Sequence, residues 1–407
     1  MTRSRLLTLT GFAVTAVALF AVAPAVLSDF RLSLLARYLC FAIVAVGIAL
    51  AWGRGGMLTL GQGLFFGLGG YAMAMHLKLA DAGPDGLPDF MLLYGTGGEL
   101  PWWWEPFRSP VFTLAAVLVL PMTPAALIGF LVFRRRVRGA YFAILSQALA
   151  AAFALLLIGQ QATTGGTNGL TNFQGFFGFA LADPLNKRMV YFIIAAALFA
   201  VLVLTRQLFH SRYGELLVAV RDSEERVRFL GYDPALVKLA AYTVSAGMAG
   251  LAGALFVPAV GIISPALIGI VPSIQFVIGA AIGGRASLAG AALGAIAVAW
   301  AQTTLSEEFP AAWTYFQAGL FIAVIAFLPG GLASLRHHLG RRTRATPPPA
   351  APRPPPAGGA PPPPAPPRGK ERGPVPGGRR TPLKSASAQG TRPRVSTPMV
   401  MVVPRTS

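Results

Sequence analysis

Runs of some 20 apolar residues recur along this chain and leave few folds open to it. A helix of roughly that length crosses the hydrocarbon core of a bilayer. Candidate spans lie near 7–27, 33–52, 56–78, 111–133, 140–161, 189–209, 237–260, 270–284, 286–303 and 316–335. The stretch 56–78 is rich in glycine, so it is either a broken, re-entrant element or a tightly packed helix. The short runs on either side of Arg285 form a hairpin or one bent element. Eight to ten crossings are expected, in an all-α polytopic helical bundle. Only 12% of residues are charged and 54% are hydrophobic, whereas a soluble domain carries about a quarter charged residues.

The net charge of +19 does not point to nucleic acid, because 13 Lys and Arg against the single acid Glu371 lie between Arg341 and Arg405. From about residue 340 the chain is Pro- and Arg-rich and is expected to be a disordered tail (340–407) behind a transmembrane domain (1–339). The tail is compatible with a proline-motif ligand, a tether to anionic lipid, or sequence without function, and the last is favoured. The lone Cys40 sits in an apolar run, as a small core residue does. Arg3 and Arg5 before the first span, and Ala21-Val22-Ala23 within it, resemble a signal peptide. The long apolar run and the second span close behind it favour retention.

Charge sets the orientation, since Lys and Arg collect in cytoplasmic loops. With the N-terminus inside, Arg54, Arg134, Arg135, Arg136, Arg138, Arg206, Arg212, Arg221, Arg226, Arg228, Lys238 and Arg285 all fall inside. Asp81, Asp85, Asp89, Glu99 and Glu105 fall outside, and Arg31, Lys187 and Arg188 are exceptions. Both termini are therefore expected in the cytoplasm of a bacterial inner-membrane protein.

The loop RYGELLVAVRDSEERVRFLGYDP, 212–234, is amphipathic. Leu216, Val220, Val227 and Leu230 recur near helical spacing. Asp222-Ser223 is a helix start, with Glu224 and Glu225 in the first turn. Gly231 is a stop and Pro234 prevents continuation. One or two short helices follow on the cytoplasmic face, either as a plain connector or as a grip for a motor subunit. There is no GxxxxGK[ST], HExxH, Cys/His cluster or nucleophile elbow, and four scattered histidines carry no site. No cofactor or metal is expected.

Four stretches resemble the branched-chain amino-acid-type ABC permeases. In the loop, Tyr213-Gly214-Glu215, Ala219, Arg221-Asp222-Ser223-Glu224 and Gly231-Tyr232 match the family's coupling segment. Ser223 replaces its usual Asn, and Glu215 stands where a basic residue is common. Gly61-Gln62-Gly63 with Phe66 to Tyr71 matches a Gly-Gln element. Thr164, Gly165, Gly166, Thr167, Asn168, Gly169, Leu170 and Phe173 match an external T-x-G-x-N-G-L-x-x-F element, expected at the entrance if it is more than an ordinary loop. Gly283, Gly284, Gly290, Gly294 and Ala295 keep a small-residue hairpin, but Ala286 replaces a glycine and a strained turn is expected there.

Several stretches, including Gly231-Tyr232-Asp233-Pro234 and Gly261-Ile262-Ile263-Ser264-Pro265, look most like the second permease subunit of urea ABC transporters. The resemblance implies a sister permease, two ATPase subunits that supply the ATP chemistry, and a periplasmic solute-binding protein. It assigns coupling to Gly214, Glu215, Ala219, Arg221, Asp222, Glu224, Glu225, Arg226 and Gly231. Polarity nominates Thr59, Gln62, Tyr71, Thr164, Asn168, Thr171 and Gln275 for the path. Urea is the expected solute, with branched-chain amino acids or short amides as the alternative and a passive urea channel as a distant one. Ionisable groups look almost absent at membrane depth, which argues against an ionic solute held tightly.

Overall fold

The computed structural model describes residues 3–94, 99–137 and 139–309, with isolated positions as far as 322. The span near 316–335 and the tail lie outside the described residues. Among the described residues, seven helical segments are long and apolar enough to cross a bilayer: Asp29–Arg54, Pro110–Arg134, Ala140–Gly159, Pro184–His210, Pro234–Val260, Pro265–Gly283 and Leu288–Glu308. Gln62–Ala82 is an eighth long helix, and an apolar helical stretch, Thr10–Val26, precedes them all. The expected all-α bundle is observed.

Local chemistry starts these helices. Asp183 and Asp233 each stand before a proline and accept a backbone N–H two residues on, from Leu185 at 3.0 Å and Ala235 at 2.9 Å. Ser109 and Ser287 cap Pro110–Arg134 and Leu288–Glu308 by accepting the N–H three residues on, from Phe112 at 3.4 Å and Gly290 at 3.1 Å. Such side chains satisfy donors that no helical carbonyl reaches, and proline at the first position loses no hydrogen bond.

We call the helix Asp29–Ile48 α1, Gln62–Ala82 α2, Pro234–Val260 α3, Ile270–Gly283 α4 and Leu288–Glu308 α5. The first three form the centre, and 17 of the 21 residues of α2 are buried. Glycines let α2 and α3 meet backbone to backbone. A Cβ on Gly253 would fall 1.8 Å from the carbonyl oxygen of Phe66, and one on Gly69 would fall 2.0 Å from that of Gly250. Close approach of this kind replaces the hydrophobic drive that lipid does not supply. The outer helices carry exposed apolar side chains such as Val111, Leu127, Ile144, Leu155 and Leu293, as lipid-facing surfaces do.

The glycine-rich stretch turns out to be both broken and tightly packed. α1 ends in a π-helical turn, Ala49–Arg54, and residues 57–61 run without helix before α2 begins. The run around Arg285 is a hairpin of α4 and α5, locked where a Cβ on Gly283 would meet the Gly290 carbonyl oxygen at 1.8 Å. The strain expected at Ala286 does not occur. The turn takes its positive φ, +110°, at Gly284, and Ala286 is not among the residues with positive φ. The family's missing glycine is therefore not needed at that place.

The described basic loops gather at one end of the bundle, around Arg54, Arg221 and Lys238. Residues 83–94, 99–109 and 160–183 gather at the other, the loop end.

Candidate functional site

The basic end is built on two short helices, Arg212–Asp222 and Glu224–Phe229. Ser211 caps the first by accepting the Gly214 N–H at 3.3 Å. Gly214 lies so close to the end of the preceding span that a Cβ there would sit 2.3 Å from the Leu208 carbonyl oxygen. Tyr213 donates to the Val237 carbonyl at 2.8 Å, and burial pushes its phenol up to about 12, so it stays protonated. Leu217 and Val220 are fully buried and Val227 nearly so. The amphipathic reading holds, with one correction: Leu230 is 74% exposed and Leu217 takes the inward position. Gly231 ends the hairpin at φ +86°. Glu215, Ala219, Arg221, Asp222, Glu225, Arg226 and Gly231 are exposed, as is the apolar group Phe229, Leu230 and Tyr232.

Two contacts tie this hairpin to the membrane helices. Lys238, at the start of α3, pairs with Glu224, and both side chains are nearly buried. Arg221 donates from Nε to Asp222 at 2.9 Å and from Nη1 to the Gly53 carbonyl at 3.0 Å. It also lies over Gly56, whose hypothetical Cβ would fall 2.6 Å from Arg221 Cγ. Arg221, Glu224, Lys238, Gly55, Gly56 and Met57 share a cavity of about 140 Å³. A push on the hairpin therefore reaches the break between α1 and α2 directly.

Beyond the break, three serines hold the start of α2. The Leu60 N–H donates to Ser146 Oγ at 3.0 Å, Gln62 Nε2 to Ser245 Oγ at 3.1 Å, and the Gly63 N–H to Ser273 Oγ at 3.1 Å. Gly61 and Gly63 fit only as glycine: a Cβ on each would fall about 2 Å from the Ser146 and Ile268 carbonyl oxygens, at 2.1 and 2.0 Å. Thr59 and Gln62 are fully buried, and Gln62 Oε1 has no hydrogen-bond partner among the described residues.

The path residues named from sequence do not form one site. Tyr71 is buried along α2, its hydroxyl without a partner among the described residues. Thr164 is a buried loop anchor, donating to the Leu157 and Gln160 carbonyls, both at 2.8 Å. Asn168 and Thr171 line a cavity of about 260 Å³ at the loop end, with Lys78, Gly165 and Gly169. Gly166 stands beside them with positive φ. Gly169, at φ +68°, passes within reach of the Ile263 carbonyl oxygen, where a Cβ would fall 2.1 Å away. This lets Leu170–Thr171 pair antiparallel with Ile262–Ile263. The Asp81 carboxylate accepts the Gln174 and Gly175 N–H groups at 2.8 and 3.1 Å and fastens the far side of the loop.

Gln275 lies elsewhere, in a cavity with Arg37 and Gln302. Arg37 corrects the expectation that charge is nearly absent at membrane depth. It stands within α1, in the apolar run LSLLARYLCFAIV, where a lone basic residue was a visible signal. Lys78, 8% exposed in the last turns of α2, is a second cation and donates to the Asn172 carbonyl at 3.3 Å. His76 is structural, its Nδ1 2.7 Å from the Phe107 carbonyl oxygen. Among the described residues no cluster of metal-binding side chains occurs.

A family model described as branched-chain amino acid transport system / permease component matches residues 30–325. Two curated relatives are each 27% identical over 316 residues, covering 72% of this chain and 67% of the relative. They are the high-affinity branched-chain amino acid transport system permease protein LivM of Salmonella typhimurium and its namesake of Escherichia coli. No solved structure matches. The chain is a multi-pass membrane protein, and it belongs to the family of branched-chain amino acid transport system permease components.

Proposed function

We propose that this chain is one of two permease subunits of an inner-membrane ABC importer, with ATP hydrolysis on separate subunits and solute delivered by a periplasmic binding protein. The basic end faces the cytoplasm, by the distribution of Lys and Arg. The observation that carries this reading is the bond from Arg221 to the Gly53 carbonyl. It joins an exposed helical hairpin to the π-helical turn at the end of α1, just before a non-helical stretch lodged among the central helices, which is the geometry a motor needs to move a path. Phe229, Leu230 and Tyr232 supply the apolar grip for an ATPase, and the surrounding charges set its register.

The solute is small and polar. Branched-chain amino acids are named for both relatives. Urea remains a second reading, supported by the likeness of the Gly231–Pro234 and Gly261–Pro265 stretches to urea permeases. Uptake of labelled leucine and labelled urea, in cells with and without this chain, tests the proposal. Loss of either uptake on deletion supports an importer and names its solute. Full retention of both would contradict it.

A further inference from the structure

A cavity of about 200 Å³ opens between α1, α4 and α5, in the half of the bundle nearer the loop end. Its polar wall is Arg37, Gln275 and Gln302, and its apolar wall includes Phe41, Phe66 and Phe276. Arg37 lies eight residues past Asp29, roughly 12 Å along the helix at 1.5 Å per residue. Its guanidinium lies 5.6 Å from the centre of the Phe41 ring. Among the described residues its buried Nε has no hydrogen-bond partner, no Asp or Glu lines the cavity, and Arg37 makes no ion pair.

An arginine at this depth is expensive, and such residues face a partner or a watered pathway rather than lipid. The fork of a guanidinium fits a carboxylate with two parallel hydrogen bonds. Side-chain amide oxygens accept from an ammonium group, and phenylalanine rings receive an apolar side chain. A neutral solute such as urea would leave the cation uncompensated.

We propose that Arg37 receives the carboxylate of the transported solute, so that the cavity selects an α-amino acid with an apolar side chain over urea. This rests on the permease reading above. The volume suits a solute smaller than the drug-sized ligands of larger pockets. Gln275 and Gln302 face the ammonium group, and the aromatic wall faces the side chain.

The test uses the whole transporter in proteoliposomes with ATP inside, supplied in parallel with labelled leucine and labelled urea through the binding protein. Arg37→Gln should lower leucine uptake at least tenfold, and Arg37→Lys should keep part of it. Retention of the sister permease and docking of the binding protein should not change. Leucine uptake that survives Arg37→Gln overturns the inference and leaves the permease reading intact. So does urea uptake that is indifferent to Arg37 in vesicles that carry no leucine. Arg37→Gln that detaches the sister permease also overturns it, because the carboxylate then belongs to that subunit. Wild-type vesicles that carry neither solute overturn the permease reading, and this inference with it.

Discussion

Two polar places lie inside this bundle, and they are built in opposite ways. Around Gln62 the groups are neutral, fully buried and bonded across helices through Ser146, Ser245 and Ser273. Around Arg37 the key group is charged, and it faces a cavity of about 200 Å³. The first arrangement suits a joint that must seat in one position before it is moved. The second suits a site that waits for something to fill it. Aromatic rings follow the same division. Phe65, Phe133 and Phe142 pack edge to face with Tyr242 near the joint, whereas Phe41, Phe66, Phe256 and Phe276 wall the cavity.

Substitutions can break this contrast. The largest effect is expected from Gly61→Val, whose side chain has no room before the Ser146 carbonyl oxygen. Overpacking of this kind costs about 3 kcal/mol, to be read as a lower midpoint of thermal aggregation for the purified complex. Ser245→Ala comes next, because it removes the acceptor of Gln62 Nε2 inside a sealed site. A buried donor left without a partner costs about 1–3 kcal/mol, again visible in the thermal midpoint. The smallest effect on stability is expected from Gln302→Ala, within about 0.5 kcal/mol, accompanied by a fall in uptake. Should Gln302→Ala destabilise more than Ser245→Ala, the cavity would be structural and the division would fail.

Much of this was legible from sequence, and the reasons can be named. Span positions followed from apolar run length. Gly231 and Pro234 announced where the short loop helices stop, and the periodicity of 212–234 announced the hairpin. The three serines were not legible, because their partners lie 86, 183 and 210 residues away and a serine in an apolar run has no local signature of such a role. The position of the strained turn was misread, since nothing local says whether Gly284 or Ala286 takes positive φ. Arg37 was visible as a charge in a span, but its lack of a partner depends on how α1, α4 and α5 meet.

The central claim is that motor movement enters through the Arg221–Glu224 hairpin and reaches the break before Gln62. Combined charge reversal, Arg221→Glu with Glu224→Lys, tests it most directly in a reconstituted transporter. The account predicts normal membrane insertion, no solute uptake, and ATP hydrolysis that no longer responds to the loaded binding protein. Full, binding-protein-dependent uptake in that variant would contradict it.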